Sequence, residues 1–286
     1  MFHIPLFLMY GLLAAIISSI LCSSVGTFIV LRGLSFMGAG VAHAALAGAA
    51  LALLLNLTDS WSIFALALLF SLPLAFFVAY VGERGLRMDI AVGIMFALNM
   101  SLSVLFIGML KEYTIEAWSL IFGDILGVNA EELILMVISM FIIEIVLLLF
   151  YKEFKFIVFD FEGAIASGIH ARIVHYIMMF IVALAIVSVL KSVGALLVFA
   201  LTVAPPFAAY ELTHNIDNML LLSLLLGVIS SILGIILAFY INLPASAVIA
   251  LTATTTAAIS MVISPKRRKC CNILAGRVRF FREKRV

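Results

Sequence analysis

LILMVISMFIIEIVLLLFY, from Leu133 to Tyr151, is an almost wholly apolar run with one charged side chain, Glu144. A helix of about 20 apolar residues spans the hydrocarbon of a bilayer. Inside lipid, each backbone N–H and C=O must find its partner within its own segment, so such a run is an α-helix unless protein or water shields a break. Working outward, eight further runs read the same way: Leu6 to Leu31, Gly38 to Leu57, Trp61 to Val81, Ile90 to Leu110, Ile173 to Leu190, Gly194 to Ala209, Met219 to Ile241 and Ala245 to Ile263. The expectation is an all-α, polytopic transmembrane bundle of about nine spans, with eight as the alternative count. Residues 1–264 form the membrane domain and 265–286 a basic cytoplasmic tail.

Composition agrees. Hydrophobic residues make up 66% of the 286 and charged ones 11%, against roughly 45–50% and 25% in soluble domains. Met1 to Pro5 carries no Lys or Arg, and the first apolar run exceeds the core of a signal peptide, so that run is expected to stay as a span. Of the three cysteines, Cys22 lies in the first run, while Cys270 and Cys271 adjoin in the tail. They make neither a disulfide framework nor a zinc knuckle. Palmitoylation of the tail pair is the weaker alternative to an incidental role.

Basic residues set the direction, because short cytoplasmic loops accumulate Lys and Arg. With the amino terminus outside and nine spans, Arg32, Arg84, Arg87, Lys152, Lys155, Arg172 and the tail cluster all fall inside. Only Lys111 and Lys191 of the 17 Lys and Arg fall outside. The outer loops then carry Asp59, Glu112, Glu116, Asp124, Glu131 and Glu132. Such a surface attracts cations, although solvated loop carboxylates would look the same. The tail, with KRRK and RVRFFREKR, is expected to rest on anionic lipid rather than on nucleic acid.

The second run opens GAGVAHAALAG, small residues that let helices approach closely around one titratable group, His43. An intramembrane imidazole is either a satisfied packing residue or a ligand. Ala39 lies one turn earlier on the same face, where a second ligand would point. Glu144 is expected to face the bundle or a cavity, as a pathway residue or as a protonated, hydrogen-bonded one. Asn99, with Ser101 and Ser103, is expected to hydrogen-bond from helix to helix or, as a further pathway candidate, to line the path. Pro205 and Pro206 remove two backbone donors and are expected to break or kink the seventh run, either lining a path or ending a helix. FDFEGAIASGIHAR, from Phe159 to Arg172, reads as a short, partly exposed helix suited to docking another protein, or as an ordinary interfacial loop. No G-x-x-x-x-G-K-S/T loop occurs, so energy from ATP must come from elsewhere.

Five segments together resemble the permease subunit of bacterial and archaeal ABC importers for zinc, manganese or iron: VLRGLSFMGAGVAHAALAG from Val30, LIFGDILGV from Leu120, FDFEGAIASGI from Phe159, VGALLVFALTVAPPFAA from Val193 and NLPASAVIAL from Asn242. The resemblance implies a permease rather than an enzyme, placed in the prokaryotic cytoplasmic membrane. It also implies a second copy of the chain, a cytoplasmic ATPase dimer, an extracytoplasmic metal-binding protein and a transported divalent ion, with no tightly bound cofactor. It identifies Asp160, Glu162, Ala164 and Gly168 as the ATPase-coupling segment. It makes His43 the metal contact, although Ala39 replaces the acidic residue usual one turn before it and Ser246 stands where glycine is usual. An ABC permease for siderophores or cobalamin, indifferent to His43, is one alternative; a gradient-driven carrier using Glu144 is another.

Overall fold

The computed structural model describes residues 6–110 and 122–266. Lys111, Glu112, Glu116, Leu120, Ile121 and the tail beyond Lys266, with Cys270 and Cys271, lie outside the described residues. Among those described, nine helices are long and apolar enough to cross a membrane, and no strand occurs. They are α1 (Leu6–Leu31), α2 (Met37–Leu54), α3 (Ser60–Glu83), α4 (Met88–Met109), α5 (Ala130–Leu149), α8 (Ala171–Val193), α9 (Ala195–Leu212), α10 (Ile216–Ile241) and α11 (Ala245–Ile263). Two short helices, α6 (Tyr151–Phe159) and α7 (Phe161–Ala166), follow α5.

Each expected span is present; α2 stops at Leu54 and α5 at Leu149, short of the expected Leu57 and Tyr151, while several polar starts lie earlier than hydropathy places them. α5 begins three residues before Leu133 because Asn129 and Glu132 close a reciprocal cap: the Glu132 N–H donates to Asn129 Oδ1 at 2.8 Å and Glu132 reaches back to the Asn129 N–H. α3 takes in Ser60 because Asp59 caps it, accepting from the Ser62 N–H at 2.9 Å.

The spans pack as two groups. α2, α3 and α4 form one; α1, α9, α10 and α11 form the other; α8 touches both, with α5 beside it and α1. α1, α2 and α8 are the most enclosed and α4 the least. With lipid offering no hydrophobic drive between helices, close backbone approach sets the packing. Gly48 lies against the Leu66 carbonyl and Gly26 against the Thr202 carbonyl, and a Cβ at either position would collide with that oxygen.

The double proline does not break its helix. Pro205 and Pro206 are buried inside α9, which continues to Leu212. The two missing N–H groups leave the carbonyls one turn back, those of Leu201 and Thr202, without their helical donors. The Thr202 carbonyl is covered by Gly26 of α1, and the helix packs on α1, α10 and α11. Between α10 and α11 Asn242 adopts a left-handed conformation (φ 55°, ψ 43°).

Charge segregates along the bundle. Arg32, Glu83, Arg172, Lys155 and Asp217 lie at one end, the basic end, with α6 and α7. Asp59, Glu132 and Lys191 lie at the other, the acidic end.

Candidate permeation and coupling sites

His43 sits on α2 with its ring half-exposed and edge-on to Phe96 of α4, 4.9 Å between centroids at 85°. Phe96 in turn packs on Phe36, and Phe36 on Phe199 of α9. Nδ1 of His43 is buried without a hydrogen-bond partner. Its backbone carbonyl accepts from Ser103 Oγ at 3.0 Å, and the same hydroxyl lies 2.8 Å from the Asn99 carbonyl. Asn99 is therefore brought to the α2–α4 contact, where its amide donates to Met95 O at 2.8 Å. Ala39 is buried, at 8% exposure. Among the described residues no three His, Cys, Asp or Glu side chains converge, so the site offers one imidazole with hydroxyls and carbonyls around it.

Glu144 belongs elsewhere. It lies on α5, which packs on α1, and its Oε1 is buried without a hydrogen-bond partner, the nearby Ser24 hydroxyl donating to Leu21 O at 3.0 Å. α5 packs on α1 and α8, whereas α2 packs on α3, α4, α8 and α9. The structure thus brings Asn99 to His43 but sets Glu144 apart. Pro205 and Pro206 enter only through Thr202, whose side chain is wedged against Gly38 of α2 at 3.3 Å from where a Cβ would stand.

At the basic end, α7 is a single turn and a half closed at both termini. Asp160 Oδ1 accepts from the Gly163 N–H at 2.8 Å, and Gly163 has no room for a Cβ beside that carboxylate. At the far end Gly168 takes φ 82°, its N–H donating to Ile165 O at 3.0 Å while that of Ile169 donates to Ala164 O at 3.1 Å. This double bond after a left-handed glycine is a Schellman stop. Ala164 is fully buried, and Glu162 and Ile165 are exposed. The four expected coupling residues therefore divide into two end-formers, one anchor and one surface carboxylate.

Behind α7 lies a cluster absent from the sequence expectations. Arg32 enters those by its charge alone, and His175 is not among them, although the cost of an imidazole in an apolar run applies to it as it does to His43. Arg32 Nη2 is 3.2 Å from His175 Nδ1. The guanidinium carbon lies 5.4 Å from the Phe161 ring centroid. Burial holds the Arg32 guanidinium below its usual range. Nearby, Glu83 takes Arg172 at 3.6 Å and Tyr176 at 3.3 Å, and Lys155 pairs with Asp217 at 2.9 Å. Burial and then the Asp217 carboxylate push the Tyr151 phenol up.

The acidic end is less of a cation funnel than its composition promised. Asp59 is a helix cap whose hydrogen bonds from Ser62 hold it below the usual carboxylate range. Asp124 accepts from the Gly127 N–H at 3.1 Å. Glu132, in its capping box, also pairs with Lys191 at 2.7 Å, which donates to Ser60 at 3.2 Å. Ser246 donates to the Phe122 carbonyl at 2.6 Å and ties α11 to the loop before α5.

Residues 6–264, every span of the bundle, match the ABC 3 transport family. The chain belongs to that family. A relative from Halalkalibacterium halodurans, the manganese transport system membrane protein MntC, is 32% identical over 263 residues, covering 91% of this chain and 88% of the relative. A Haemophilus influenzae protein described as a probable iron transport system membrane protein is also 32% identical, covering 91% and 95%. Among solved structures, PsaBC from Streptococcus pneumoniae in complex with Fab superposes with a TM-score of 0.81 at 32% identity, covering 93% of this chain and 94% of that one. This ABC 3 chain is a multi-pass membrane transport permease, and the spans of the bundle are those of its family.

Proposed function

We propose that this chain is the membrane-spanning permease of an ATP-driven importer of divalent metal ions, with manganese as the first candidate cargo. The observation that carries the reading is the family match across all nine spans, joined by near-full-length relatives named for manganese and iron transport. In this reading two copies enclose the path in a prokaryotic cytoplasmic membrane. The basic end is cytoplasmic and receives two ATPase subunits; the acidic end receives a metal-binding protein. Residues 265–286 form a basic tail on anionic lipid. Lys266, at its start, lies over the Tyr210 ring at 3.7 Å.

His43 contacts the passing ion. Import requires enough ligand exchange to offset lost hydration and a site shallow enough to release. One imidazole without a carboxylate at position 39 meets the second demand, and carbonyls and water complete the shell. Imidazole serves manganese, iron and zinc to differing degrees, so the delivery protein sets most of the selectivity. Glu162 and Ile165 on the exposed face of α7 meet the ATPase, while Asp160, Ala164 and Gly168 hold that face in place. Asn99 and the Thr202–Pro206 segment shape the wall near His43.

The test is transport by the chain in lipid vesicles with and without the ATPase that co-purifies with it. ATP-dependent manganese accumulation that vanishes without the ATPase is expected. Uptake driven by an ion gradient with no ATPase present would overturn the reading in favour of a secondary carrier.

A further inference from the structure

We infer that Arg32 is a positioning residue, a latch that links the docking helix α7 to α2, the helix of His43. The inference rests on the transport reading above and goes beyond it.

Arg32 is the first residue of the turn that closes α1. The Gly33 N–H donates to Val30 O at 3.0 Å and the Leu34 N–H to Ile29 O at 2.9 Å, with Gly33 at φ 71°. This is a second Schellman stop, and it fixes the direction in which the chain leaves α1. The Met37 N–H then donates to Leu34 O at 2.8 Å, so α2 starts directly from the same turn. His43 stands less than two helical turns further on.

The contacts of Arg32 run the other way, to α7 and α8. Its guanidinium faces the ring of Phe161, the first residue of α7, and the Nδ1 of His175. Phe161 and His175 meet edge to face, 5.8 Å apart at 71°, so the three side chains close a triangle. His175 is fully buried. Its Nδ1 accepts from Arg32 only when that nitrogen carries no proton, which places the imidazole proton on Nε2. Nε2 of His175 and Nε of Arg32 are both buried without hydrogen-bond partners. Among the described residues Arg32 forms no ion pair; Glu83, an acid at the same end of the bundle, is taken by Arg172 and Tyr176.

A half-buried guanidinium whose Nε has no partner and which faces no carboxylate is costly. An apolar side chain would fill the same space without that cost, so packing alone does not account for arginine here. What arginine provides is a directional hold on an aromatic face and an imidazole lone pair. The hold is strong enough to move Phe161 and the α1–α2 turn together, yet has no salt bridge to lock it. Displacement of α7 by its partner thus reaches the turn that sets the position of α2.

The readout is manganese ions imported per ATP hydrolysed by the complex of this chain with its co-purifying ATPase in lipid vesicles. Arg32→Gln and Phe161→Leu are each expected to lower that ratio about tenfold in assembled complex, the scale of one desolvated cation–π contact. The double variant is expected to be no worse than the poorer single variant, because both remove one contact. Arg32→Lys, which keeps a cation over the ring, should recover part of the loss. An unchanged ratio, or losses that multiply in the double variant, would overturn the latch. Should Arg32→Gln yield no complex, Phe161→Leu alone decides by the same ratio. A wild-type complex that imports no metal would overturn the transport reading and the latch with it; one that imports while both single variants keep its ratio overturns the latch alone.

Discussion

His43 faces an aromatic ring rather than a carboxylate, and this determines what it offers a passing ion. A single lone-pair donor in a half-exposed position gives a brief contact. His43→Ala should therefore lower manganese uptake about tenfold, equivalent to roughly 1.4 kcal/mol of lost contact, with the amount of protein in the membrane unchanged; uptake and immunoblot measured on the same cells check it. Ala39→Asp places an acid one turn before His43, and the purified variant should retain manganese that the parent chain releases, read by metal analysis after gel filtration. His43 was legible because an imidazole in an apolar run is costly without a role. Phe96 and His175 were not. Which side chains meet across two helices depends on rotation and register, and a row of apolar residues in each span leaves both undetermined. Glu144 shows the converse: the same cost argument flags it, but its helix packs on α1 and α8 and not on that of His43.

α7 owes its shape to its two ends. Removing the Asp160 cap with Asp160→Ala should cost about 1 kcal/mol of local helix stability. Gly168→Val forces a β-branched residue into a left-handed conformation at about 1–2 kcal/mol. Both variants should bring down less ATPase on affinity purification, while Glu153→Gln, on α6, should bring down as much as the parent chain. Apolar length made the spans legible, and alternating acid, glycine and alanine made α7 legible as a short helix. The continuity of α9 was not legible, because proline's missing donor is written in its own run and the compensating neighbour is not: Gly26, on another helix, covers the freed Thr202 carbonyl. Gly26→Leu should accordingly reduce the yield and the unfolding temperature of the detergent-solubilised protein, measured by a thermal-shift assay.

Taken whole, the molecule is a bundle with two chemically different ends. The basic end carries α7 and the Arg32–Phe161–His175 triangle; the acidic end carries caps and one clamp, Lys191–Glu132–Ser60, that ties α8, α5 and α3 together. Charge segregation along the sequence made that polarity legible. It did not reveal that most of the described acidic-end carboxylates are engaged in capping, turns and pairing. The central claim is that the basic end is the cytoplasmic one and that α7 enters the ATPase there. Single cysteines at Glu162 and at Asp59, in a Cys22→Ser, Cys270→Ser, Cys271→Ser background, test it most directly through labelling by an impermeant maleimide and cross-linking to the co-purifying ATPase. The account predicts that the cysteine at position 162 is labelled only in inside-out vesicles and cross-links to the ATPase, while that at position 59 is labelled only in intact cells and does not. Labelling of position 162 from outside intact cells, with no cross-link, would contradict it.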